Sequence, residues 1–176
     1  MTADAFLAWG EGREGRWELR DGKPVAMSPE QSVHALTKYA AQRALSKAVE
    51  AAGKPCRVYP DGMAVRVNAS TVYEPDGSVL CGPSAAPDAL EIHNPVIVLE
   101  VLSPSTASLD HGRKFTAYFS LPSVAQYLIL DPERRAVIHH ARGSADAILT
   151  RVVAAGALTL DPPGIEVVVE AMFEAA

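Results

Sequence analysis

Val96-Ile97-Val98-Leu99-Glu100-Val101-Leu102-Ser103-Pro104 is an apolar run with a single carboxylate in its middle and a proline at each flank (Pro95 and Pro104). A short apolar segment bounded in this way reads as a buried β-strand rather than a helix. An ionised Glu inside such a strand costs several kcal/mol or more unless a cation or hydrogen-bond donors meet it. The run Val72-Tyr73-Glu74-Pro75-Asp76 supplies a second acid from a preceding extended segment. Two acids converging from neighbouring strands form a donor set for a hard divalent cation. Side chains alternate along a strand, so Glu100 and Leu102 share one face, while Val101 offers its carbonyl oxygen at the edge.

Working outward, the period of the apolar residues changes along the chain. Thr2 to Trp9 predicts a short helix with Thr2 or Asp4 near its cap. Arg16-Trp17-Glu18-Leu19-Arg20 and Lys23 to Met27 flank Asp21-Gly22, a strong hairpin signal. Ser28-Pro29-Glu30 predicts the opening of the longest helix, with Ser28 as N-cap and Pro29 at the first helical position. Val33, Leu36, Ala40, Ala44, Ala48 and Ala52 recur at helical spacing, and Gly53 and Pro55 end the run. Strands are expected at Arg57–Tyr59, Met63–Val67, Ser78–Leu80, Val96–Leu102, Ala125–Leu130, Ala136–Ala141, Ile148–Val153 and Ile165–Val169. A helix capped by Asp110 runs to about Ser120, and Ala171-Met172-Phe173 closes the chain with a helical turn. The fold class is α/β (α+β): a mixed β-sheet flanked by two main helices, preceded by an N-terminal helix and hairpin.

The chain has 176 residues, a hydrophobic fraction of 48% and a charged fraction of 21%. That length fits one domain, 1–176, large enough to bury a sizeable core. A net charge of -5 leaves no large basic face, which counts against strong non-specific binding to nucleic acid. Cys56 and Cys81 form no CxxC pair and read as small buried hydrophobes in a reducing compartment. Met1 to Glu14 lacks the pattern of a secretion signal, and no apolar run approaches a bilayer span, so a cytoplasmic protein with no membrane contact is expected.

Lys114 falls in the first turns of the helix that follows the central strand, so a helix returning along the sheet aims its ammonium at the carboxylates. Two acids and a lysine suit metal-assisted phosphodiester hydrolysis. Each residue has a plainer reading: Asp76 as a turn residue in Pro75-Asp76-Gly77, Glu100 in a structural ion pair, Lys114 in a surface pair with Asp110. Glu18 reads as a solvent-facing strand residue ahead of an acid lining the site. His34 reads as a satisfied histidine at the edge of the core ahead of a catalytic one. His139 and His140 point to opposite faces of one strand, which rules out a two-histidine metal clamp there. Phosphate loops, dinucleotide fingerprints, nucleophile elbows and zinc-protease motifs are absent from the sequence.

The segments Arg16 to Gly22, Met27-Ser28-Pro29, His34, Glu74-Pro75-Asp76, Leu99 to Thr106, Asp110, Lys114, Tyr118 and Gln126 to Pro132 together resemble the Uma2 family of endonucleases, within the PD-(D/E)XK nuclease superfamily. The Glu100-to-Ser105 block is the most specific part, and the resemblance covers nearly the whole chain. It implies a restriction-endonuclease-like fold and a Mg²⁺-dependent endonuclease acting on DNA, with Mn²⁺ as a substitute. Asp76 takes the place of the motif Asp and Glu100 that of the motif acid, both holding metal together with the Val101 carbonyl. Leu102 stands where the motif lysine belongs, and Lys114 takes its role as the migrated lysine. Gln126 stands where an acid is common. A homodimer follows if both strands of a duplex are cut. The alternative is a nuclease-fold binding or assembly module with weak or no catalysis; hydrolysis of a smaller phosphate ester is a third.

Overall fold

The computed structural model describes residues 1–103, 109–145 and 147–173. The chain runs α1 (Ala3–Gly10), β1 (Trp17–Arg20), β2 (Lys23–Ala26), α2 (Ser32–Ala51), β3 (Cys56–Pro60), β4 (Val65–Asn68), β5 (Thr71–Tyr73), β6 (Gly77–Cys81) and β7 (Ile97–Val101). Then follow α3 (Leu109–Phe119), β8 (Gln126–Asp131), β9 (Ala136–Arg142), β10 (Ile148–Val153), β11 (Ala157–Leu160), β12 (Ile165–Val168) and a 3₁₀ turn (Glu170–Met172).

The central sheet has the order β10-β9-β8-β7-β6-β3. Among the described strands of this sheet only β7 and β8 pair in parallel, Ile97 opposite Gln126 through Val101 opposite Leu130. A parallel pair needs a crossover, and α3 lies between these two strands in the chain. Alternation along β7 then divides the core. Leu99 and Val101 pack with Ala41, Leu45 and Val49 of α2 and with Leu158 and Val167 of the β11-β12 ribbon. Val98 packs on the other side with Tyr118 of α3, Tyr127 and Tyr73. Glu100 belongs by period to the Val98 side, so the strand directs its carboxylate toward α3. Burying one residue such as Leu99, fully enclosed here, contributes about 2 kcal/mol.

A second sheet, ordered β2-β1-β5-β4, carries the N-terminal hairpin. Asp21 and Gly22 both have positive φ, 48° and 79°, as the tight turn between twisted strands requires. The Thr2 hydroxyl caps α1 by accepting from the Ala5 N–H at 3.3 Å, and Phe6 of α1 packs on Leu19 and Val72.

Four local expectations need correction. α2 begins at Ser32 after Gln31, not at Ser28-Pro29. The Met27 N–H is held by the Arg16 carbonyl, which prolongs the hairpin, and the Glu30 side chain is drawn to Lys38 and Arg16 instead of the first turn. Asp110 lies one residue inside α3, which starts at Leu109, so a cap there falls outside the described residues. The extended segment expected over Val72 to Asp76 is strand only as β5, with Asp76 in the link before β6, and one short strand, β11, joins the expected set. Cys56 and Cys81 are not separate hydrophobes: the β3–β6 register sets them opposite each other, and they form a disulfide.

Candidate active site

Five separate elements deliver charged groups to one cavity of about 330 Å³, lined by Glu18, Glu30, His34, Asp76, Glu100 and Lys114 among others. β1 supplies Glu18. The segment entering α2 supplies Glu30, and α2 itself supplies His34 and Lys38. Asp76 immediately precedes β6, Glu100 is the fourth residue of β7, and Lys114 and Tyr118 come from α3.

Lys114 joins the first half of the cluster. Its Nζ donates to Glu100 Oε1 at 2.8 Å and sits 2.9 Å from Glu18 Oε1. The Tyr118 hydroxyl donates to the same Glu100 oxygen at 2.8 Å. Lys114 and Tyr118 are four residues apart, one helical turn, so α3 presents both along a single stripe. Lys114 also lies over the Tyr73 ring, 5.4 Å from its centroid. Burial would lower the Lys114 pKa, but Glu100 and Glu18 together raise it above the ordinary lysine value, so it stays an ammonium.

The second half gathers around Asp76. Its Oδ2 accepts from the Val101 N–H at 2.8 Å and lies 3.5 Å from His34 Nε2. The same His34 nitrogen lies 3.0 Å from the Val101 carbonyl oxygen. Lys38 donates to both oxygens of Glu30, at 2.6 and 2.7 Å, and to Asp61 at 2.8 Å, and approaches Asp76 Oδ1 at 3.8 Å. Arg16 ties the outer wall together by bridging Glu30 at 2.5 Å, Asp61 at 3.2 Å and Glu74 at 2.7 Å.

Burial and neighbouring charges act unequally on the carboxylates of this cavity. Burial pushes the Glu100 pKa up to about 7; Lys114 opposes the rise, and Asp76 and Glu18 reinforce it. Burial likewise raises Asp76 above the ordinary aspartate value, against His34, the Val101 N–H and Lys38. Glu18 goes the other way: burial works against its charge, but Lys114 and Arg20 overcome it and hold it below the ordinary range. An environment that ionises one acid readily and another reluctantly marks a candidate functional site.

The residues of this cavity fit a divalent cation. One ligand atom each from Glu30, His34 and Asp76 lie within 4.8 Å of one another. His34 Nδ1 is buried there with no hydrogen-bond partner. Oxygen-rich and partly desolvated, such a set matches the donors that divalent ions take.

A family model described as "Putative restriction endonuclease", Uma2, matches residues 3–171. The chain belongs to the Uma2 family. Its fold is restriction-endonuclease-like, and family and fold together point to a nuclease. Two proteins of Synechocystis sp., uncharacterized proteins slr1290 and sll1609, resemble this Uma2 chain. The first is 25% identical over 98% of this chain and 91% of its own length. The second is 24% identical, with 87% and 88% covered. A crystal structure described as "a putative nuclease belonging to DUF820", from Anabaena variabilis, matches with a TM-score of 0.75 at 16% identity. That match covers 98% of this chain and 97% of the other and shows a shared fold.

All the residues singled out in the sequence, Asp76, Glu100, Val101, Lys114, Glu18 and His34, line the cavity. One of their readings changes. Glu18 is not solvent-facing: its side chain is 1% exposed and meets Lys114. His34 sits at the cavity wall with Nε2 3.0 Å from the Val101 carbonyl oxygen and Nδ1 3.5 Å from Glu30 Oε2. The Asp110 side chain lies outside the described residues, and Lys114 is buried rather than on the surface. Glu30, Lys38, Arg16 and Tyr118 were not expected. The signal for three of them was spacing: Glu30, His34 and Lys38 recur every four residues, as do Lys114 and Tyr118. His139 takes no part; its Nε2 meets the Gln126 side chain at 2.6 Å and its Nδ1 accepts from Arg151 at 3.0 Å.

Proposed function

We propose that this Uma2 protein, acting as one unit over 1–176, is a divalent-metal-dependent endonuclease that hydrolyses DNA phosphodiester bonds. A single observation carries the reading: Asp76 and Glu100 are buried in one cavity with an ammonium, Lys114 Nζ, 2.8 Å from the second acid. Asp76 and Glu100 with the Val101 carbonyl would hold the ion, Mg²⁺ or Mn²⁺ in its place, and the Glu30 carboxylate stands beside them. When bound, such an ion supplies positive charge to the phosphoryl oxygen and acidifies water.

The chain's own residues do the rest. The Val101 N–H holds Asp76 Oδ2 at 2.8 Å. Glu100 is positioned by two donors on one oxygen, Lys114 and Tyr118. Lys114 is permanently charged and points at the site, where it orients the attacking water or stabilises negative charge developing on the phosphoryl oxygens. The displacement of this lysine from a strand to α3 therefore leaves its ammonium in contact with the motif acid. One such cavity cuts one strand, so duplex cleavage calls for a second copy of the chain.

Incubation with supercoiled plasmid and Mg²⁺ or Mn²⁺ tests the proposal. Nicked or linear product is expected from the wild type, with loss in Asp76→Ala, Glu100→Ala and Lys114→Ala variants that retain the native circular dichroism spectrum. Cleavage that survives all three substitutions refutes the assignment. Inactivity of the wild type together with capture of a partner protein favours the binding-module reading.

A further inference from the structure

The central sheet ends on β10, and this edge differs from the others. β3, the opposite edge, carries Arg57 and Pro60. The smaller sheet ends on β2, with Lys23 and Pro24, and on β4, where the register shifts between Arg66 and Asn68. Cations, prolines and bulges are the devices that keep a free edge from pairing with another chain. β10, Ile148-Leu149-Thr150-Arg151-Val152-Val153, has no proline, and its register with β9 is unbroken. Its one cation is engaged within the fold: Arg151 donates to His139 Nδ1 at 3.0 Å and to the Thr159 carbonyl at 3.4 Å. The ladder also fixes which backbone groups face outward. The Gly143 N–H donates to the Ala147 carbonyl on the β10 side, and the Arg142 N–H to the Ala125 carbonyl on the β8 side. Pairing alternates along an antiparallel strand. Leu149, Arg151 and Val153 therefore turn their backbone groups to β9, whereas Ile148, Thr150 and Val152 turn theirs off the sheet, where no described strand lies. Leu149 and Val152 are 68% and 69% exposed, on opposite faces of the strand.

We infer that β10 is the docking edge for a second copy of this chain. The two β10 strands pair antiparallel about a two-fold axis at Thr150, so that the two central sheets become one. This register sets Thr150 opposite itself and Val152 opposite Ile148 of the second copy, twice over, and both are favourable cross-strand pairs. A two-fold axis brings each group near its own copy, so charge beside the axis repels. From Ala147 to Leu160 the one ionisable side chain is Arg151, in a chain of which 21% is charged. A neutral edge of this kind suits self-pairing. It does not suit DNA, because phosphate binding depends on Lys and Arg. None of these residues lines the cavity, so the inference does not rest on the nuclease reading. Where that reading also holds, the same pairing supplies the second copy that duplex cleavage calls for.

The test combines sedimentation equilibrium of the full chain with residue-resolved amide hydrogen exchange. The wild type should show a monomer–dimer equilibrium. Protection of the Ile148, Thr150 and Val152 amides should grow with protein concentration, while Leu149 and Arg151, already bonded to β9, should not respond. Val152→Lys places an ammonium beside the axis on each copy and should raise the dimer dissociation constant about tenfold or more. A monomer at every concentration overturns the inference, including one that pairs β10 with a different protein. So does a dimer indifferent to Val152→Lys, or one whose concentration-dependent protection falls outside β10. If Val152→Lys fails to fold, the wild-type exchange pattern decides: alternating protection along β10 supports the pairing, and its absence overturns it. Plasmid cleavage has no bearing on these outcomes, so failure of the nuclease reading stays separate from failure of this one.

Discussion

Replacing Glu100 by Gln should make the metal-free protein more stable at pH 8, an unusual outcome for the loss of a buried, doubly hydrogen-bonded acid. The unfolded chain ionises this carboxyl near 4.5, whereas in the fold burial, with Asp76 and Glu18 adding to it, carries the pKa to about 7. Between those two values the native state binds the proton that the unfolded state has released, so stability falls as pH rises through that window and levels off above it. At about 1.4 kcal/mol per pH unit, the ionised Glu100 costs the native state about 3 kcal/mol at pH 8. Gln keeps the shape of protonated Glu, and its oxygen still accepts from Lys114 and Tyr118, so the variant escapes that cost. Urea unfolding with EDTA present should show Glu100→Gln ahead by up to about 3 kcal/mol at pH 8, with the advantage gone by pH 4. Saturating divalent metal should reverse the order at pH 8 if Glu100 holds the ion as proposed, because only the wild type then keeps the full ligand set. A variant that is less stable than the wild type at pH 8 in EDTA would refute the reasoning. Glu100 would then be one half of an ordinary structural ion pair with Lys114.

Lys114→Met removes the ammonium shared by Glu18 and Glu100 and leaves two buried carboxylates facing each other, so chemical denaturation should report a loss of about 3–5 kcal/mol. The disulfide closes a loop with a sequence separation of 25. Reduction, or the double Cys56→Ser, Cys81→Ser change, should therefore lower unfolding free energy by about 3 kcal/mol, with no effect of reductant on the double variant.

Much of this architecture was legible because local signals and tertiary context agree. The run from Val96 to Leu102 is buried on both faces, and nothing competes with its reading as a strand. Asp21-Gly22 needs only its own backbone preference to make the hairpin. The misreadings occur where a distant residue decides. Ser28-Pro29 carries a good helix-start signal, yet Arg16 and Lys38 claim Glu30 and the helix begins later. Cys56 and Cys81 become partners only through the pairing register of β3 and β6, which no spacing rule encodes. Glu18 looked solvent-facing because α3, which brings Lys114 against it, lies nearly a hundred residues further along the chain.

The cavity draws on β1, the entry to α2, the start of β6, the end of β7 and α3, its charged lining spread from Glu18 to Lys114. No contiguous piece of the polypeptide shorter than that span holds all of those charged groups. A chain emerging from the ribosome, or a proteolytic remnant missing either end of the span, therefore lacks a complete cluster. Any cutting activity of this protein would consequently be bound to the finished tertiary structure.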